Sequence, residues 1–184
     1  IPESLPAGEY RLVARFMDGA EATLATADLG PLRVTATERN FTMPAVERPF
    51  AATFGNEIDL VGYSLTPQDE PDRYQLDLVW QAKTAPSYDY TVFVHLLQAD
   101  GSCTPCLWQQ DVMPRQNQYP TTRWAAEEVV VDSYQIQVPP GTTPGGYQLE
   151  IGLYIAETGQ RLQIVQPNRP TSDAIYLDSI IVEN

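Results

Sequence analysis

The chain has 184 residues, 43% of them hydrophobic, and 24 acidic side chains against 11 Lys and Arg give it a formal charge of −13. That is enough apolar material for a substantial core and too much for a disordered chain. The negative charge repels nucleic-acid phosphates and anionic lipid headgroups, which excludes partners of both kinds. No apolar run approaches the roughly 18 residues that span a bilayer, and no charged-then-apolar leader opens the chain. Direct membrane insertion is therefore not expected. A start at Ile1 without Met reads as a piece of a longer protein or a processed product.

Ten Tyr and sixteen Pro, without long Ala/Leu/Glu/Lys runs, favour strands and turns. The turn signal Pro6-Ala7-Gly8 leads into a strand over Glu9–Met17, where Tyr10, Leu12, Ala14 and Phe16 alternate with Arg11, Val13, Arg15 and Met17. Asp18-Gly19 marks a tight turn, and Pro31–Thr37 a second strand. Residues 38–49 carry two prolines and no clean period and read as a linker. Further strands are expected over Glu57–Ser64, Tyr74–Ala82, Tyr88–Gln98, Leu107–Val112, Glu128–Val138, Tyr147–Ala156, Gln160–Val165 and Ala174–Val182. Pro-, Asp- and Gly-rich turns separate them. Tyr74–Ala82 alternates cleanly and reads as buried on one wall. Tyr90–Leu97 is apolar in both phases and reads as a central strand covered on both faces. No helix is expected, Ala125–Glu128 forming at most a turn. The fold class is all-β: a two-sheet antiparallel sandwich, jelly-roll-like, over residues 50–184, with an extra N-terminal hairpin over 1–37.

An internal repeat links the two ends. Pro6–Phe16 aligns with Pro144–Leu153 after one gap, the row Tyr, Leu, Ala, Phe meeting Tyr, Leu, Ile, Leu. Leu29–Val34 aligns with Leu177–Val182. The opening hairpin thus resembles the last two strands of a preceding sandwich. Because a lone hairpin is marginal in water, it should pack on the domain, pair with an open edge or swap into another chain.

Several stretches together resemble a known family: Phe54–Tyr63, Leu78-Val79-Trp80-Gln81-Ala82, Tyr90–Leu97, Tyr119–Trp124 and Gly146–Tyr154. They are similar to the soluble β-sandwich appended to bacterial membrane glycosyltransferases of the protein-mannosyltransferase-like class and related envelope proteins. The likeness runs in order over about 41–182. It implies an extracytoplasmic accessory domain at the cell surface or envelope, with neighbouring repeats or a membrane domain of the same parent as partners. It carries over no catalytic residue, because the transferase site of that family lies in its membrane part. The Cys-containing insert after Asp100-Gly101 departs from the family, whose modules have a plainer hairpin there.

No catalytic constellation is visible, and the chain is not expected to be an enzyme. Cys103 and Cys106 form a lone C-x-x-C. Zinc needs four ligands and no second pair is present, while redox chemistry of the thioredoxin kind needs a helix N-terminus. A local disulfide stapling a loop is the expectation. His95, the single histidine, has no nucleophile-elbow motif to serve and reads as structural. Adjacent Glu127 and Glu128 point to opposite faces and cannot act as a pair. No cofactor is expected; calcium on Asp69, Glu70 and Asp72 is the alternative to a solvated turn. Tyr88, Trp108, Tyr119, Arg123 and Trp124 fall at loops or strand ends, where aromatic rings could stack on a glycan with Arg and amides bonding its hydroxyls. Glycan binding for an envelope glycosyltransferase is the first expectation. The second is a structural, protein-interaction sandwich in a tandem array. Buried aromatics, together with apolar contact between the opening hairpin and the main domain, would favour the second, and a buried polar cleft at His95 would revive an enzyme.

Overall fold

The computed structural model describes residues 7–35 and 38–183. Pro6 of the expected opening turn and positions 36–37 of the expected second strand lie outside the described residues. The chain divides into two compact units, Ile1–Arg39 and Asn40–Asn184.

The first unit is an antiparallel hairpin of β1 (Gly8–Met17) and β2 (Thr23–Val34). Asp18 builds its turn, Oδ1 accepting the Ala20 and Ala22 amides at 2.9 Å, in the manner of side chains that mimic a backbone turn. Tyr10 faces Leu32, Ala14 faces Ala27 and Phe16 faces Ala25, so the apolar row of β1 extends across both strands. The second strand begins well before Pro31: Thr23–Gly30 pairs with β1 apart from Leu24 and Leu29 at two register shifts, but its Ala and Thr residues show no hydrophobic period that would have marked it.

The second unit is a two-sheet antiparallel sandwich. One sheet runs in the order β11 (Ile164–Val165), β3 (Arg48–Phe54), β4 (Ile58–Pro67), β5 (Arg73–Ala82), β8 (Val129–Gln137). In the other, β9 (Gly145–Ile155) lies between β6 (Tyr90–Leu96) on one edge and both β10 (Gln160–Arg161) and β12 (Ile175–Val182) on the other, and β6 also pairs β7 (Trp108–Val112). The expected sandwich class holds. Jelly-roll order is not confirmed; β3, β4 and β5 run as a consecutive meander in one sheet. A single 3₁₀ turn, Thr121–Arg123, sits among the described residues.

Alternation explains most of the core. Leu76, Leu78 and Trp80 of β5, Val92, Val94 and Leu96 of β6, and Leu149 and Ile151 of β9 have no exposed surface. Trp80 meets Phe54 edge-on at 5.3 Å between ring centres, a favoured aromatic geometry. A bulge between Leu60 and Gly62 sets Leu60 opposite Trp80 and Tyr63 opposite Leu78, which turns both Leu60 and Tyr63 inward despite their odd spacing. The outer row of β6 is covered too: Phe93 is 1% exposed beneath the Arg161 guanidinium, 4.2 Å above its ring.

Residues 38–49, expected as a linker, carry structure. The Asn40 carbonyl accepts the Val129 amide at 2.7 Å, Val46 packs where a Gly62 side chain would be, and β3 starts at Arg48. Pro49 obscured that strand, yet β11 reaches only Thr53 and Phe54, which leaves the Pro49 edge without a ladder bond to lose. The expected strand Gln160–Val165 splits because its halves serve different sheets: β10 pairs β9 while β11 pairs β3.

The two ends of the chain share one strand register. Gly8↔Val34, Tyr10↔Leu32 and Arg11↔Pro31 correspond to Gly145↔Val182, Tyr147↔Ile180 and Gln148↔Ser179. Each ladder then skips on its second strand at the same step. Val13↔Asp28 and Ala14↔Ala27 resume it in one, Glu150↔Tyr176 and Ile151↔Ile175 in the other.

Gly152 lies opposite Phe93, and an added Cβ there would come within 2.2 Å of the Phe93 ring and 3.0 Å of the Asp173 carbonyl. Gly152→Ala is expected to destabilise the sandwich by roughly 1–3 kcal/mol through overpacking. Gly19→Ala, with nothing within 4 Å, should stay within about 0.5 kcal/mol of the parent. Urea unfolding midpoints of the two variants check both.

Candidate functional site

The proposed aromatic platform does not assemble. Tyr119 is 4% and Trp124 2% exposed; their rings lie 6.5 Å apart in the core. Trp124 Nε1 donates to the Tyr119 carbonyl at 3.2 Å, and the Tyr119 hydroxyl donates to Glu128 Oε1 at 2.7 Å. These two rings are structural, a correction to their reading as stacking surfaces. Trp108 is half-buried and packs against the core. Tyr88 and Arg123 are exposed. The reason is the turn Thr121–Arg123: the fully buried Thr121 Oγ1 accepts the Tyr90 amide and donates to the Tyr88 carbonyl, which ties the loop to the start of β6 and drives Trp124 inward. A threonine between loop polar residues carried no sequence signal of that role.

The carboxylates fare likewise. Glu128 is buried and also accepts the Ala125 amide at 2.9 Å, while Glu127 is exposed, so the two do not act as a pair. Glu70 pairs with Arg73, and the Asp72 carbonyl accepts the Val138 amide. Among the described residues, Asp69, Glu70 and Asp72 do not converge as a cation site would require. Asp132, fully buried, is a structural group that sequence reasoning missed. Burial pushes its carboxyl above the usual range, opposed by the Tyr134 hydroxyl at 2.7 Å and the Arg115 amide at 2.7 Å. Arg115, Gln116 and Asn117 all have positive φ, a costly turn for side-chain-bearing residues, and Asp132 pins its first amide.

Polar chemistry gathers instead on the outer face of the sheet of β6, β7 and β9. Cross-strand pairing sets His95 between Gln109 and Glu150. His95 Nε2 lies 2.9 Å from Asp111 Oδ1 and Nδ1 lies 3.3 Å from Glu150 Oε2. Arg161 Nη1 approaches Glu150 Oε1 at 3.8 Å. His95, Asp111 and Arg161 line a recess of about 180 Å³ with Phe93, Tyr154 and Gly159. Burial alone would lower the His95 pKa, but the hydrogen bonds and charges of Glu150 and Asp111 outweigh it and hold it above the usual histidine value. The bond to His95 in turn holds the Glu150 carboxyl below its usual range, helped by Arg161.

The loop from β6 to β7 carries the disulfide Cys103–Cys106 back over this face, with Cys103 Sγ 3.7 Å from His95 Nδ1. The ligand atoms of His95, Cys103 and Cys106 all lie within 4.8 Å of one another. A second, apolar recess of about 350 Å³ lies along β3 and β4, lined by Phe50, Val61, Val165 and Pro167, with Asp59 bonded to Thr53 as its polar edge. The register that sets His95 beside Glu150 was not legible in the sequence.

The pH consequence follows from the raised folded-state value. An imidazole that holds its proton more tightly when folded stabilises fully below the unfolded pKa of about 6.5, and this contribution fades as pH rises through the folded value. The His95 resonance is therefore expected to titrate with a midpoint above the ordinary 6.5. His95→Gln should lose stability, by roughly 1 kcal/mol, at pH 5.5 and progressively less at higher pH. Imidazole NMR titration and unfolding midpoints across that range test both, and an equal loss at pH 5.5 and 9 would contradict the assignment.

No family model, curated protein or solved structure matches the chain.

Proposed function

We propose that the chain is a structural, protein-interaction module in an array of like sandwiches, with residues 7–35 the closing strand pair of a neighbouring copy. The observation that carries this reading is the register of β1–β2. It matches β9–β12 pair for pair and skips at the same step. In the complete unit the corresponding inward residues, Tyr147, Leu149, Ile151 and Leu153, are core. In the hairpin Leu12 and Phe16 are exposed, as expected of a core face awaiting the opposite sheet of its own sandwich.

The resemblance to envelope modules implies an extracytoplasmic parent of the protein-mannosyltransferase-like class, and that part of the reading rests on the resemblance alone. Glycan recognition is the weaker alternative, because the rings of Tyr119 and Trp124 face the core and cannot stack on a sugar. A structural role also agrees with a polar recess whose charges are already paired with one another.

Native-state hydrogen exchange on the dilute chain tests the array reading. Amides of β1 and β2 are expected to exchange at least about 100-fold faster than those of β9 and β12, since a hairpin without its facing sheet opens locally. Equal protection of the two ladders would overturn the reading. A glycan-array screen completes the test: retention of a glycan by the parent and its loss in Trp108→Ala would restore sugar binding as the function.

A further inference from the structure

The face around His95 has a feature that a loop staple does not require. The imidazole is oriented on both sides, Nε2 toward Asp111 Oδ1 at 2.9 Å and Nδ1 toward the cysteine loop, with Cys103 Sγ at 3.7 Å. A carboxylate on the far nitrogen is the usual support of a metal-binding histidine. It fixes the proton on that nitrogen and turns the other lone pair toward the ion. The donor atoms of His95, Cys103 and Cys106 lie within 4.8 Å of one another. A zinc-sized ion held at about 2.3 Å from sulfur and about 2.0 Å from nitrogen needs donors gathered at that scale. Glu150 Oε2, 3.3 Å from the same Nδ1, stands beside that trio of donors and not within it. Linear spacing offered only the lone C-x-x-C; the register of β6 with β7 and β9 supplies the rest.

We propose that the reduced Cys103/Cys106 pair, with His95 Nδ1, is a three-donor site for a thiophilic divalent ion of the zinc type, with Asp111 as its positioning residue. The disulfide and the metal site are alternative states of one loop. A dithiol reductant delivers two electrons and two protons, the sulfur–sulfur bond breaks, two thiols form and the reductant leaves as its own disulfide. Ion binding then displaces both thiol protons and, where the imidazole is protonated, the Nδ1 proton as well, so it strengthens as pH rises. The redox poise of the compartment selects the state. Three protein donors hold the ion and leave its fourth position to water, which makes the site a fastener of the β6–β7 loop to β6.

The test uses the full chain, reduced with a phosphine under anaerobic conditions, freed of reductant and titrated with Co²⁺ as a spectroscopic stand-in for zinc. Expected are thiolate-to-cobalt charge-transfer absorption saturating at one ion per chain, its displacement by Zn²⁺, and no such absorption in the oxidised protein. Cys103→Ser and Cys106→Ser should each weaken binding by at least about 100-fold. Asp111→Asn, a conservative change at the surface, should weaken it roughly 10–100-fold with the β-sheet circular dichroism intact. Absence of charge transfer in the reduced parent would overturn the site, as would cobalt binding that survives in the Cys103→Ser/Cys106→Ser double variant. An Asp111→Asn affinity equal to that of the parent would overturn the positioning role.

Discussion

Strand β9 imposes the constraint on which the sandwich rests: successive side chains must leave it on opposite faces. Tyr147, Leu149, Ile151 and Leu153 therefore go inward together, while Glu150 and Gly152 go outward. The inward row fills the layer against β3, β4, β5 and β8. The outward positions decide what the exposed face can do, because Gly152 leaves room for the Phe93 ring and Glu150 meets His95. A one-residue slip of β9 against β6 would exchange these roles, exposing a core row and burying a carboxylate without its partner. Burial of the apolar row thereby also enforces the His95–Glu150 pairing.

The same strand has a counterpart in the register of the hairpin. Its ladder with β12 and the ladder of β1 with β2 share a pairing scheme down to the position of the irregularity. Alternation alone would make any two hairpins look alike, but it does not dictate where a skipped residue falls. The skip common to the two ladders is therefore more particular than their alternation. In the complete unit the inward row is covered by an opposite sheet; in the hairpin Leu12 and Phe16 are exposed.

Buried polar groups show how the loops are fixed to this frame. Thr121 anchors one loop to the start of β6, Glu128 receives the Tyr119 hydroxyl, and Asp132 holds the left-handed turn at Arg115. Each is a buried group with hydrogen-bond partners, as burial demands. Together they draw Tyr119 and Trp124 into the core. The loops that looked best suited to binding a ligand are in this way committed to closing the end of the sandwich.

What could be read from the chain alone was what a short period encodes. The alternation of Tyr74, Leu76, Leu78 and Trp80, and the doubly apolar Tyr90–Leu97, mark a half-wet strand and a covered one without reference to anything distant. The all-β class and the turn-rich connections were legible in the same way. Strand β3 escaped notice because Pro49 and neighbouring alanines carry no period, and its pairing comes from β4 and β11. Only the tertiary structure decided that Trp124 is core, that residues 40–47 lie along the sandwich, and that His95 stands among Asp111, Glu150 and Cys103. Those outcomes depend on register between strands far apart in sequence, and register is set by the sum of all core contacts rather than by the residues it brings together.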